Sequence, residues 1–148
     1  MFSGFEARDE FGVDVSIDGD RIAIGSQFAN TQFGFNSGSV YLYKQNTVND
    51  RWEPEVQISR VGMVTQGYKF GRSVDLAGSR LVAGAPGNSA AYVFELEGDA
   101  WTETQRIEHA DGAFGTSVGI SSQAMAAIGD PAQNQNAGST FVVESCDS

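Results

Sequence analysis

Short apolar runs of four to eight residues, each bounded by glycine or small polar residues, follow one another along the chain, the pattern of strands joined by tight turns. Near the start they are Val13 to Ile17, Arg21 to Gly25, Ser39 to Lys44 and Arg51 to Ile58. The first two are separated by Asp18-Gly19-Asp20, a Gly-centred hairpin turn, and Ala77-Gly78-Ser79 later repeats that arrangement. The predicted elements are therefore up-and-down meanders. The second run is apolar on both faces (Ile22-Ala23-Ile24, then Leu81-Val82-Ala83 and Met125-Ala126-Ala127-Ile128), as a strand covered on both sides must be. The fourth alternates Glu53, Glu55 and Gln57 with Pro54, Val56 and Ile58, as an exposed edge strand does.

The runs belong to a repeat. Phe11-Gly12 recurs as Phe70-Gly71 and Phe114-Gly115, and each pair is followed by a glycine that opens Gly25-Ser26-Gln27, Gly84-Ala85-Pro86 or Gly129-Asp130-Pro131. Tyr41-Leu42-Tyr43, Tyr92-Val93-Phe94 and Phe141-Val142-Val143 come next, then Trp52 with Ile58 and Trp101 with Ile107; the third copy stops before its Trp. The Phe-Gly pairs stand 59 and 44 residues apart, which suits four strands and three turns but not a βαβ unit carrying those same runs. Buried inner strands that grade into a polar outer strand make a propeller blade, whereas a β-sandwich would alternate on one face in most strands. The prediction is an all-β partial β-propeller within residues 1–148. It comprises three consecutive four-stranded antiparallel blades over 11–58, 70–107 and 114–144, the last lacking its outer strand, with about eleven strands in all.

Composition agrees: 18 Gly, only 3 Pro and 11% aromatic residues suit many short strands and turns. A net charge of -10 repels phosphate backbones and anionic lipids, so nucleic acid is not an expected partner. No run approaches a membrane span, and Met1 to Glu10 lacks the basic start and apolar stretch of a secretory signal. Cys146 is the single cysteine, so no disulfide can form within the chain.

The Phe-Gly start, the Gly-Ala-Pro end of the second strand and the Tyr-Val-Phe and Trp elements resemble the FG-GAP repeats of integrin α-subunit propellers and of bacterial and marine secreted proteins. The stretch from Phe70 to Pro86 follows that pattern nearly throughout, and the resemblance extends from Phe11 to Val143. It implies a ring of blades, usually seven, and an interaction role outside the cell or at its surface. On physical grounds Phe11, Phe70 and Phe114 can wedge between blades, with Trp52 and Trp101 in the core. The glycines beside or following them (Gly12, Gly71, Gly115; Gly25, Gly84, Gly129) permit close backbone approach or a positive φ, and Pro86 and Pro131 end the second strand.

Chemistry is sparse. Calcium-holding FG-GAP blades carry Asp-x-Asp-x-Asp-Gly between the first two strands, while this chain offers Asp18-Gly19-Asp20, Ala77-Gly78-Ser79 and Ser121-Ser122-Gln123, read as plain turns with no metal or other cofactor. His109 and Cys146 are too few for zinc, and His109 is expected to be solvated in an inter-blade loop. The irregular feature is the loop after each Gly-Ala-Pro position. It is short in the second copy but long in the first (Phe28, Asn30, Gln32, Phe33, Phe35, Asn36) and the third (Gln133, Asn134, Gln135). Insertions in a repeat array gather on one face, and aromatics interleaved with amides suit sugar rings or peptide side chains. The expectation is a non-catalytic adhesion or scaffolding module that contacts protein or glycan, the alternative being a propeller lectin or a fragment of a glycan-processing enzyme. Three blades leave two apolar faces open, so further blades in a longer parent chain, or self-association, are expected to cover them.

Overall fold

The fold comes from a computed structural model, which describes residues 6–32, 34–59, 67–110 and 112–144. Cys146 and the loop residue Phe33 lie outside the described residues. The first sheet is β1 (Phe11–Asp18), β2 (Arg21–Ser26), β3 (Ser39–Asn46) and β4 (Arg51–Ile58). The second is β5 (Ser73–Ala77), β6 (Arg80–Ala85), β7 (Ala90–Glu97) and β8 (Ala100–Glu108). The third is β9 (Ser117–Ile120), β10 (Met125–Asp130) and β11 (Ser139–Glu144). Each sheet runs in sequence order with every neighbouring pair antiparallel, and among the described residues helix is confined to the short turns Pro86–Asn88 and Gln133–Asn136. The first two sheets even share a bulge, between Leu42 and Tyr43 against β4 and between Val93 and Phe94 against β8, which tightens the twist of the outer strands at the same place.

The inner strands are laced side by side by side chains. Asp14 Oδ2 accepts from the Val74 N–H at 2.8 Å, and Ser16 Oγ donates to Asp75 Oδ1 at 2.8 Å while accepting from the Leu76 N–H at 3.0 Å. One blade on, Asp75 Oδ2 accepts from the Ile120 N–H at 2.8 Å. Polar side chains of one blade thus satisfy Val74, Leu76 and Ile120 N–H groups that the inner edges of the second and third sheets would otherwise leave open.

Between blades the Phe-Gly pair is the wedge. Phe70 is fully buried among Ala23, Val40 and Leu42 of the first sheet and Tyr92 and Phe94 of its own, meeting the latter two rings edge-on. Phe114 does the same against Ala91 and Ile107 of the second sheet and Ile128 and Phe141 of the third. The glycines make this approach possible. A Cβ on Gly25 would stand 2.0 Å from the Gly71 carbonyl oxygen, and one on Gly84 would stand 2.0 Å from that of Gly115. Gly71 and Gly115 hold φ of +81° and +88°, and their N–H groups donate back to the Gly84 and Gly129 carbonyls of their own blades. The strand-two glycine of one blade therefore seats the Phe-Gly turn of the next.

Three expectations need correction. Phe11 and Trp52 are not core residues: they remain 38% and 37% exposed, because no described blade packs against the inward face of β1 and because β4 is the outer edge. Trp101, half-buried, does pack against the core. His109 is not simply solvated. Its ring lies 4.7 Å from that of Phe141 and stacks at 6.0 Å on Phe114, because β8 runs on past the expected strand end and delivers it to the joint between the second and third blades.

Candidate binding site on the strand-two loops

The loops that follow the second strand of each blade emerge at the same end of the stack, and the first is the most elaborate. Ala29 donates to the Ser26 carbonyl and accepts from the Gly38 N–H, closing the loop on its own base. Above that, Thr31 and Gly34 exchange two backbone hydrogen bonds of 3.1 Å, a small hairpin with Gln32 exposed at its tip. Ser37, almost fully buried, fastens the hairpin by a 2.7 Å contact with the Thr31 hydroxyl. The described backbone groups are thus tied within the loop, while Asn30, Gln32, Phe35 and Asn36 keep exposed side chains.

The N-terminal lead-in docks onto this loop. The Phe28 N–H and the Ser26 hydroxyl both donate to the Asp9 carbonyl, Gln27 donates to Glu10, and Asn30 donates to Glu6 at 2.7 Å. Between loop and lead-in lies an open cleft of about 310 Å³ lined by Arg8, Glu10, Phe28 and Asn36. Three of those four residues, Arg8, Glu10 and Asn36, hold left-handed backbone at φ of 88°, 52° and 52°. For Arg8 and Glu10 this costs on the order of 1 kcal/mol or more, whereas asparagine tolerates it, and such conformations cluster at ligand-holding sites. The Lys69 ammonium lies 5.9 Å from the centre of the half-buried Phe28 ring, while Phe35 is 66% exposed nearby in sequence. A positive, a negative, an amide and an aromatic group thus converge on one concavity. On the neighbouring sheet face, burial pushes the Tyr41 hydroxyl above its ordinary pKa, so it remains a neutral donor and acceptor.

The third-blade loop is built differently. Asp130, fully buried, accepts at Oδ1 from the Ala113 N–H at 2.9 Å and the Ala132 N–H at 3.1 Å, pinning the loop to the segment before Phe114. Above it Asn134, Gln135 and Asn136 are consecutive left-handed residues, at φ of 53°, 58° and 69°; all three are exposed, and Asn134 donates weakly to Ser139 at 3.4 Å. Gln133 is half-buried. The second blade, with its short Pro86–Asn88 turn, stands between this loop and the first, so the two insertions present separate surfaces.

Of the residues singled out from sequence, Phe28 and Asn36 line the cleft; Asn30 is turned to Glu6, and Gln32 and Phe35 stand free of the cleft wall. Arg8, Glu10 and Lys69 were missed. Glu10 and Lys69 both directly precede a Phe-Gly pair, and that register was the available signal. The turn carboxylates serve the fold: Asp18 accepts from the Gly78 N–H of the second blade and Asp20 from the Arg21 guanidinium.

Residues 3–43 match the family model of the FG-GAP repeat. Among solved structures, the β-propeller domain of Cps50 (Swd1) from Myceliophteria thermophila shares the fold at a TM-score of 0.59 and 10% identity, over 84% of this chain and 36% of that one. The chain therefore spans little more than a third of the propeller it matches. No curated protein matches it.

Proposed function

We propose that this FG-GAP β-propeller chain is a non-catalytic binding and scaffolding module that works outside the cell or at its surface. It takes a protein or glycan ligand at the cleft between the first strand-two loop and the N-terminal lead-in. The observation that carries the reading is the cleft itself: Arg8, Glu10 and Asn36 hold left-handed backbone around the Phe28 ring. An aromatic face with hydrogen-bonding groups at its rim suits a sugar ring or a peptide side chain. The nearby carboxylates support binding over catalysis, since Glu6 and Glu10 are engaged as acceptors for Asn30 and Gln27 rather than held as a free acid and base pair. The location rests on the FG-GAP likeness.

The test is binding of the purified chain to a glycan array and to a panel of extracellular-matrix proteins, with Phe28→Ala and Asn36→Ala compared against wild type. A ligand lost by both variants at unchanged melting temperature supports the reading. Turnover of any glycan substrate, or ligand binding indifferent to both substitutions, contradicts it.

A further inference from the structure

Arg8 and Glu10 line the same cleft two residues apart, both on left-handed backbone, yet they form no ion pair with each other. Among the described residues the Arg8 guanidinium meets no carboxylate and no hydrogen-bond acceptor, and Glu10 accepts at Oε2 from Gln27 while Oε1 is left unengaged. Asn36 is fixed by its backbone N–H, which donates to Asn30 Oδ1 at 3.1 Å, so its own side-chain amide is open to the cleft it lines. The Lys69 ammonium is not part of the lining and meets the Phe28 ring from outside the cleft. One concavity thus presents a guanidinium, a carboxylate oxygen and an amide around an aromatic ring, with the two opposite charges left un-neutralised.

We propose that the ligand is a neutral sugar residue of a glycan, held by two adjacent hydroxyls. The inference rests on the cleft reading above and names the class of ligand it takes. An anionic group would satisfy Arg8 and be repelled by Glu10, and a cationic group would do the reverse. A vicinal diol satisfies both, because each hydroxyl can donate to the carboxylate or accept from the guanidinium, and hydrogen bonds to ionised groups are the strong ones. The C–H face of the pyranose lies on the Phe28 ring, and Asn36 takes a further hydroxyl. Size points the same way. The cleft of about 310 Å³ stands at the low end of the roughly 300–1,000 Å³ of small-molecule sites, whereas a stable protein partner needs about 800 Å² of surface on each side.

Calorimetry and saturation-transfer NMR on the full chain test this with three sets of probes. They are neutral hexose disaccharides, with and without O-methylation of a vicinal diol; the matching uronic acid disaccharides; and short acidic, basic and zwitterionic peptides. A neutral disaccharide should bind with an affinity that added salt leaves unchanged, and O-methylation of its diol should weaken it about tenfold or more. Arg8→Met, which keeps the apolar stem, and Glu10→Gln, which keeps an acceptor for Gln27, should each weaken it about tenfold at an unchanged melting temperature. Tighter, salt-sensitive binding of the uronic acid, or equal binding of the methylated sugar, would overturn the proposal. A peptide bound in place of any sugar, and lost in Phe28→Ala, would overturn it while leaving the cleft reading intact. No binding of any probe by the folded chain would overturn both.

Discussion

The middle strands β6 and β10 hold the same place in their sheets, each hydrogen-bonded on both sides, yet their burial differs. In β6 every residue after Arg80 is buried; in β10 burial alternates, with Ala126, Ile128 and Asp130 covered and Met125, Ala127 and Gly129 not. The backbone pairing is nearly the same, five and six pairs for β6 against four and six for β10, so the difference is the neighbour. Among the described residues the second blade is enclosed by the other two, while the third is covered on one face. A blade is therefore a complete hydrogen-bonded unit but half of a packing unit. Its stability is set at the joints, as in other repeat architectures in which each unit contacts only its neighbours.

The largest separation between enclosed and open positions should come from the wedge phenylalanines. Phe70→Ala empties a fully buried site and should cost about 3–5 kcal/mol, whereas Phe11→Ala removes a partly exposed ring touching Tyr41 and should cost under about 1 kcal/mol. At roughly 2–4 °C per kcal/mol for a chain of this size, thermal melts resolve the two easily. Equal losses would mean that the two rings are not enclosed and open versions of one position.

Next in size is the strand-two glycine. Gly84→Ala drives a methyl to 2.0 Å from the Gly115 carbonyl oxygen and 2.4 Å from Ser73 Oγ, and should cost about 3 kcal/mol in denaturant unfolding as the blades are forced apart. Gly119→Ala, with nothing nearer than 3.9 Å, should be close to neutral.

These joints were legible in the chain because they recur. Phe-Gly and the strand-two glycine stand at fixed register in three copies, and a residue that must fit a neighbour of its own kind repeats along with it. The four-run order and the bounds of β4 were readable for the same reason. The lacing of the inner strands was not, since its positions vary from copy to copy: Asp14, Ser73 and Ser117, then Ser16, Asp75 and Gly119. The binding cleft was half legible. Phe28 and Asn36 stood out in an insertion, but Arg8 and Glu10 reach it only through the way the lead-in docks on the loop, which has no periodic signature.

That lacing gives the third contrast. Asp75→Ala leaves the Ile120 N–H and the Ser16 hydroxyl without their carboxylate acceptor, and should cost about 1–3 kcal/mol. Asp20→Ala, at a turn where the carboxylate meets Arg21, should cost within about 0.5 kcal/mol. The smallest effect belongs to the loop: Phe35→Ala should leave the melting temperature unchanged, within about 0.5 kcal/mol, because its ring is 66% exposed. A larger drop would mean that the loop contributes to the core rather than to a surface.

Native-state amide hydrogen exchange measures the stability of each blade in one experiment. Joint-determined stability predicts that Leu81 to Gly84 in β6 exchange slowest, through global unfolding alone, and that Ala126 to Gly129 in β10 exchange faster, through opening of the third blade. Protection in β10 equal to that in β6, or slowest exchange in the outer strands β4 and β8, would contradict it.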